Sequence, residues 1–136
     1  MRFSPSRAGV LGTPIAHSLS PVIHNAGYAA AGLVDWRYTA HECDEAALPG
    51  FVAQLDYSWA GMSLTMPLKE VALSVADEVS PLAATLGAAN TLVRRGDGWY
   101  AENTDAGGMA DALRTAGLPA AKQVAVLGAG GTARAA

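Results

Sequence analysis

Cysteine is almost missing from this chain of 136 residues: Cys43 stands alone. No intramolecular disulfide can form, so nothing ties the fold to an oxidising compartment, and a buried, inert thiol is the expected state. Long apolar runs are missing too. None reaches the roughly 18–20 residues that a bilayer-spanning helix requires. Arg2 and Arg7 are not followed by the apolar stretch of a secretion signal. A soluble cytoplasmic protein is therefore expected, without membrane contact. Charge of one sign is equally scarce. Nine Lys and Arg against twelve Asp and Glu leave a formal net charge of -3, which supplies no electrostatic reason to expect a nucleic-acid partner.

What is present can build a core. Hydrophobic residues make up 51% of the chain and charged ones 15%, a balance that excludes disorder as the default. The length suits one domain, or one domain plus the start of another. The last residues, Arg134-Ala-Ala136, read as the first turn of a helix, so a truncated chain or a piece of a longer one is expected.

Local patterns predict alternating strands and helices. Ala8–Gly12 is a short apolar run with the character of a buried strand. Ser20-Pro21 starts a helix, with Ser as N-cap and Pro in the first turn, and Gly32 stops it. A strand is expected over Trp36–Cys43, a helix over Pro49–Leu55 and a strand over Trp59–Thr65. Pro67 opens another helix carrying Leu68, Val71, Ala72 and Val75, and Ser80-Pro81 opens a short one. Asn90–Arg95 and Gly98–Glu102 flank Gly96-Asp97 as a hairpin. A helix from Asp105 to about Ala116 follows, and Gln123–Leu127 reads as a buried strand. The pattern predicts an α/β fold with a mostly parallel sheet between helical layers.

Chemistry concentrates at the ends of these strands, where open α/β sheets bind ligands. The clusters are His17-Ser18-Leu-Ser20, then Ser63-Leu-Thr65 with Lys69, then Asn90 with Asn103-Thr-Asp105. Lys69 is expected in the first turn of the helix opened by Pro67, where the dipole disfavours a cation and a partner would offset that cost. Asp105, at a helix start, has its anion favoured. Together they could orient a polyhydroxylated acid and relay the proton of an alcohol oxidation. A solvent-facing lysine and an ordinary helix-start aspartate are the alternative, and on these residues alone that alternative ranks first. Gly128-Ala129-Gly130-Gly131-Thr132-Ala133 fits G-x-G-x-x-[G/A] between a strand and a helix, a cradle for a dinucleotide pyrophosphate. A glycine turn without a ligand remains open.

In combination, the motifs resemble shikimate dehydrogenases. Gly12-Thr-Pro-Ile-Ala-His-Ser-Leu-Ser-Pro21 with His24-Asn25 is similar to the family's N-terminal signature, and Gly61-Met-Ser-Leu-Thr-Met-Pro-Leu-Lys69 to its G-x-N-V-T-x-P-x-K segment. Gly87-Ala-Ala-Asn-Thr-Leu-Val93, Glu102-Asn-Thr-Asp105 and Gly128-Ala-Gly-Gly-Thr-Ala-Arg134 match further blocks in family order. The resemblance implies reversible reduction of 3-dehydroshikimate to shikimate with NADPH, in aromatic amino-acid biosynthesis. It implies that Ser18 and Ser20 bind the substrate carboxylate and that Thr65, Asn90 and Asp105 hold ring hydroxyls. Lys69 and Asp105 would be the catalytic pair. Gly128, Ala129, Gly130, Gly131 and Thr132 would meet NADP. Residues 1–105 would form the shikimate-binding domain and 106–136 the incomplete start of an NADP-binding Rossmann domain.

Departures accompany the match. Ser63 stands where the family has Asn, which weakens a direct substrate contact there, and Ala106 replaces a common Gly. Ser20 in place of Thr resembles shikimate-preferring rather than quinate-using members. His17 and His24 are expected to be structural, and Trp36, Trp59 and Trp99 to belong to the core. A quinate or aminoshikimate dehydrogenase and a non-catalytic module for a shikimate-like acid are the alternatives, and monomer or homodimer is left open. Residues 1–136 alone are expected to show negligible NADPH oxidation with 3-dehydroshikimate; measurable turnover would overturn this.

Overall fold

The structure, a computed structural model, describes residues 5–118 and 123–136. Its elements are β1 (Arg7–Gly12), α1 (Ser20–Ala30), β2 (Arg37–Glu42), α2 (Leu48–Ala53), β3 (Trp59–Leu64), α3 (Ala72–Val75), β4 (Glu78–Val79), α4 (Pro81–Leu86), β5 (Thr91–Arg95), β6 (Gly98–Glu102), α5 (Asp105–Thr115) and a 3₁₀ turn at Ala133–Ala135. The strands form one six-stranded sheet in the order β2-β1-β3-β5-β6-β4. β1 pairs parallel with both β2 and β3, and β4 pairs parallel with β6. The β5–β6 hairpin is antiparallel and joins β3 antiparallel.

The side-chain alternation of a strand sends its residues to two different layers. On one face Leu11, Met62, Leu64 and Leu92 pack with Leu48 and Val52 of α2, Ala72 of α3 and Ala83 of α4. On the other, Val10, Ile15 and Tyr38 pack with Tyr28 of α1. Helix, sheet and helix therefore make the three layers that the alternation predicts. Trp59 and Trp99 are core residues as expected, while Trp36 is half-buried. Cys43 is buried, and burial pushes its thiol above the ordinary value. Among the described residues no helix is long and apolar enough to cross a membrane.

Several local expectations change. Ser20 does not cap α1: Leu19 occupies the cap position with no side-chain bond, and the Ser18 hydroxyl instead accepts the Ser20 amide at 3.3 Å. No continuous helix runs from Pro67. The Lys69 carbonyl, which a helix would bond to the amide four residues on, accepts from Ala89 at 2.7 Å, so a tertiary bond replaces the helical one and regular α-structure begins only at Ala72. Residues 123–127 form no strand. A strand needs a neighbour to complete its ladder, none of the described strands pairs with it, and Leu127 is 98% exposed. β4, two residues long, carries too little pattern to be foreseen.

The edge of the sheet is tied to the site by polar side chains. The buried Ser80 accepts the Ala83 amide at 3.0 Å, capping α4, and donates to Glu102 at 2.7 Å. Glu102 also accepts from the Asn103 amide at 2.8 Å. The Ser80 hydroxyl foremost, and then the Asn103 amide, hold the Glu102 carboxyl below the ordinary carboxylate range, against an opposing desolvation. A depressed pKa in the folded state stabilises the fold above the ordinary carboxylate pKa, and the benefit is lost as pH falls through the folded value. Ser80→Ala is accordingly expected to cost about 1–2 kcal/mol at neutral pH, with a smaller loss near pH 3. Urea unfolding at the two pH values measures the difference, and an equal loss at both would exclude Glu102 from the effect.

Candidate active site

Lys69 lies in the turns that follow β3, and its Nζ donates to Asp105 Oδ2 at 2.6 Å. The two side chains retain only 14% and 24% of their exposure. The sequence expectation that a helix dipole opposes the Lys69 charge does not hold, because Lys69 is in no helix. What faces its charge is a carboxylate and a hydroxyl: Nζ also donates to Thr132 Oγ1 at 2.9 Å.

Asp105 is held from three directions. Asn90 Nδ2 donates to its second oxygen, Oδ1, at 2.8 Å. Its own amide donates to Asn103 Oδ1 at 3.0 Å, and Ala106 follows at 3.3 Å. Asn103, buried and itself donating to the Ala88 carbonyl at 2.9 Å, thus performs the N-cap service for α5 that a residue with a free carboxylate could otherwise have taken. That leaves both Asp105 oxygens for the site. Asn90 is fixed in turn, its Oδ1 accepting from the Thr104 amide at 2.9 Å and from the Thr91 hydroxyl at 3.0 Å.

A cleft of about 500 Å³ borders this cluster, lined by Thr65, Lys69, Glu70 and, from the glycine loop, Gly128, Gly130, Gly131 and Thr132. Ala129 does not line it, and neither do Ser18 and Ser20 at the start of α1. Gly131 is there by necessity: a Cβ would sit 2.9 Å from Cβ of Lys69. Gly128 and Gly130 have open space on their side-chain side, so a ligand could approach their backbone closely. The helix expected after the loop is reduced to one 3₁₀ turn.

Arg134 and Glu70 carried no chemical signal on reading the sequence. Arg134 Nη2 meets Glu70 Oε2 at 3.2 Å, and its Nη1 donates to the Gly87 carbonyl at 3.3 Å, so the loop's last turn is fastened beside the Lys69–Asp105 pair. Glu42 was missed as well. Its carboxylate accepts from the Thr13 hydroxyl and, at 3.2 Å, from the Ile15 amide, shaping the loop that delivers Ser18 and Ser20. His24 has the structural role expected, its Nδ1 2.9 Å from the Ser20 carbonyl. No group of three or more His, Cys, Asp or Glu among the described residues could hold a metal ion.

A family model described as the shikimate dehydrogenase substrate binding domain matches residues 10–92, more than half of the chain. The chain belongs to this family. A shikimate dehydrogenase (NADP(+)) from Thermus thermophilus is 43% identical over 129 residues, covering 95% of this chain and 49% of the relative. A Thermus thermophilus structure in complex with NADP(H) and shikimate superposes with a TM-score of 0.88 at 43% identity, over 95% of this chain and 49% of that one. The Mycobacterium tuberculosis shikimate dehydrogenase structure is 53% identical, with a TM-score of 0.78 over 81% of this chain and 42% of that one. The fold is shared more widely: a 5-ketofructose reductase of Gluconobacter matches at 34% identity and TM-score 0.83, over 98% of this chain and 48% of that one. The chain spans about half the length of the curated relatives it matches.

Gly131→Ala is expected to push the loop off Lys69, at a cost of about 1–3 kcal/mol. Acylation of the Lys69 amine followed by mass spectrometry should then proceed several-fold faster than in the unaltered chain. An unchanged labelling rate would mean that the loop does not shield Lys69.

Proposed function

We propose that this chain is the substrate-binding part of an NADP-dependent shikimate dehydrogenase, which reversibly reduces 3-dehydroshikimate to shikimate in aromatic amino-acid biosynthesis. In this reading residues 1–105 hold the substrate and 106–136 open the nucleotide-binding Rossmann domain. The observation that carries it is the Lys69–Asp105 contact at 2.6 Å, with Asn90 on the second carboxylate oxygen. It fits a protein of the reducing cytoplasm, consistent with a single buried thiol.

Lys69 has three N–H donors, of which Asp105 and Thr132 use two. The third can point at a ring oxygen of the substrate. In the reducing direction the ketone oxygen gains negative charge as hydride reaches its carbon. Lys69 stabilises that charge and delivers the proton, so that hydride plus proton convert ketone to alcohol. In the oxidising direction the same nitrogen receives the alcohol proton. Asp105 orients the amine throughout and can accept a substrate hydroxyl, and Asn90, whose two amide hydrogens go to Asp105 and Thr104, can turn the second from Thr104 to the same ring. Ser18 and Ser20, at the start of α1, are assigned to the substrate carboxylate, and Thr65 to a ring hydroxyl.

The glycine loop suits a dinucleotide, since Gly128 and Gly130 leave their backbone open beside Lys69. NADPH would supply the hydride for reduction, and NADP+ would take it up in the reverse direction. Gly128, Ala129, Gly130, Gly131 and Thr132 are the residues assigned to its diphosphate.

The test uses the protein expressed from its complete reading frame. Lys69→Ala should lower kcat for 3-dehydroshikimate reduction by about 10² or more, the scale of a lost acid–base group. A kcat within twofold of the unaltered enzyme would remove Lys69 from catalysis. Parallel rates with shikimate and quinate, each with NADP and NAD, decide the substrate and cofactor. Shikimate binding without turnover would identify a binding module instead.

A further inference from the structure

The proposed mechanism uses Lys69 and Thr132 but gives their neighbours Glu70 and Arg134 no task. These two also meet, with Arg134 Nη2 3.2 Å from Glu70 Oε2. Lys69 on Thr132 and Glu70 on Arg134 are therefore two contacts between the same two segments. One contact fixes a distance. Two also fix the angle at which the glycine loop faces Lys69.

The surface that receives Arg134 is rigid in its own right. The Ala89 amide donates to the Lys69 carbonyl at 2.7 Å, and Ala88 and Ala89 are fully buried, which joins the Lys69-Glu70 turn to the end of α4 as one piece. Gly87 caps α4 in the left-handed conformation, with φ 63°. Its carbonyl accepts from Arg134 Nη1 at 3.3 Å. Carbonyls at a helix C-terminus lack partners within the helix, and a cation is favoured beside them. A Cβ on Gly87 would stand 2.9 Å from the same Nη1, so the guanidinium sits in a notch that glycine leaves open. The planar fork of arginine reaches carboxylate and carbonyl at once, each from its own nitrogen. On the loop side, the Arg134 amide donates to the Gly130 carbonyl at 3.1 Å and Ala135 is buried. The last turn of the loop therefore follows the guanidinium.

The Arg134 and Glu70 side chains are both half-exposed, and an ion pair of that exposure contributes little to stability. Its worth is geometric. We propose that Arg134 is a positioning residue for the reaction: docked on Glu70 and Gly87, it sets the stance of the glycine loop over Lys69, and with it the place where a bound dinucleotide presents its hydride. The inference rests on the reading of this loop as the cofactor's diphosphate site. Arg134 acts through the loop and not on the reacting atoms.

The experiment uses the protein expressed from its complete reading frame, with Arg134→Ala, Arg134→Lys, Glu70→Ala and the double alanine variant. KM for NADPH and kcat are measured in 3-dehydroshikimate reduction, and shikimate Kd by calorimetric titration without cofactor. Arg134→Ala should raise KM for NADPH about twofold to tenfold, the scale of a half-exposed ion pair joined by one hydrogen bond, and lower kcat. Shikimate Kd should stay within about twofold. Glu70→Ala should raise KM for NADPH as well, although it removes a negative charge near an anionic cofactor. Charge attraction alone predicts the opposite sign. Arg134→Lys keeps the charge but not the fork, and should fall between Arg134→Ala and the unaltered protein. The double variant should be no worse than Arg134→Ala, which already breaks the pair. A KM for NADPH at or below the unaltered value in Glu70→Ala, a shikimate Kd that rises in step with that KM, or single effects that multiply in the double variant would each overturn the proposal. Glu70 belongs to the sheet domain and is half in solvent, so Glu70→Ala tests the contact even if Arg134→Ala folds poorly. An unaltered protein without NADPH-dependent turnover would overturn the site reading and this inference together. Normal turnover with Glu70→Ala unmoved would overturn this inference alone.

Discussion

A half-buried ammonium next to a half-buried carboxylate is the constraint around which this chain is arranged. Taking either charge out of water is costly unless its remaining hydrogen-bonding capacity is used. Lys69 and Asp105 are 36 residues apart in sequence and meet at 2.6 Å. Around them the requirement is met in layers. Asn90 occupies the second carboxylate oxygen, Asn103 receives the amides that would otherwise compete for it, and the Ala89 amide on the Lys69 carbonyl ties down the turn that carries the amine. The β5–β6 hairpin is what brings these groups together, since Asn90 precedes one strand and Asn103 follows the other.

Much of this was legible beforehand, and for identifiable reasons. Gly96-Asp97 between alternating runs announced the hairpin, and Gly96 has the positive φ, 59°, that the turn requires. Ser80-Pro81 announced a capped helix, and Ser80 does cap it. These signals are local, and local backbone chemistry settles them. The identical-looking Ser20-Pro21 misled because an N-cap needs a particular orientation of the side chain, which the bond from Ser18 and the Glu42-shaped loop do not provide. Pro67 misled because the carbonyl that should have continued a helix is used by a residue 20 positions on, Ala89. Long-range bonds leave no trace in a periodicity. The same limit applies to the site: Lys69, Asp105 and Asn90 could be nominated by residue type and by resemblance, whereas the Tyr38–Ser63 bond depends on the register of β2, β1 and β3.

The glycine loop illustrates a different dependence. Residues 123–127 have the composition of a buried strand but no described strand beside them, and a parallel strand is defined by its neighbours more than by its residues. The loop after them nevertheless meets the sheet domain, through Thr132 on Lys69 and Arg134 on Glu70. Lys69 thus has ligands on both sides of the expected domain boundary. The amine is shared, so any displacement of the loop is felt at the Lys69–Asp105 pair.

The position of β4 also has a consequence for how the molecule comes into being. β4 is made before β5 and β6, yet among the described residues it pairs with β6, at the far edge of the sheet. During synthesis from the N-terminus it must wait, unpaired, until Gly98–Glu102 has emerged, while β1, β2 and β3 can already zip together. The wait is one of synthesis order rather than of loop length, since Glu78 and Tyr100 are closer in sequence than Arg7 and Arg37 or Arg7 and Trp59 in the central parallel strands. Asp105 follows shortly after β6, so the carboxylate reaches Lys69 only once the β5–β6 hairpin has been made and has joined β3. Charge pairing at the site is thereby a late event, and a nascent chain carries an exposed, partnerless lysine until its sheet is complete.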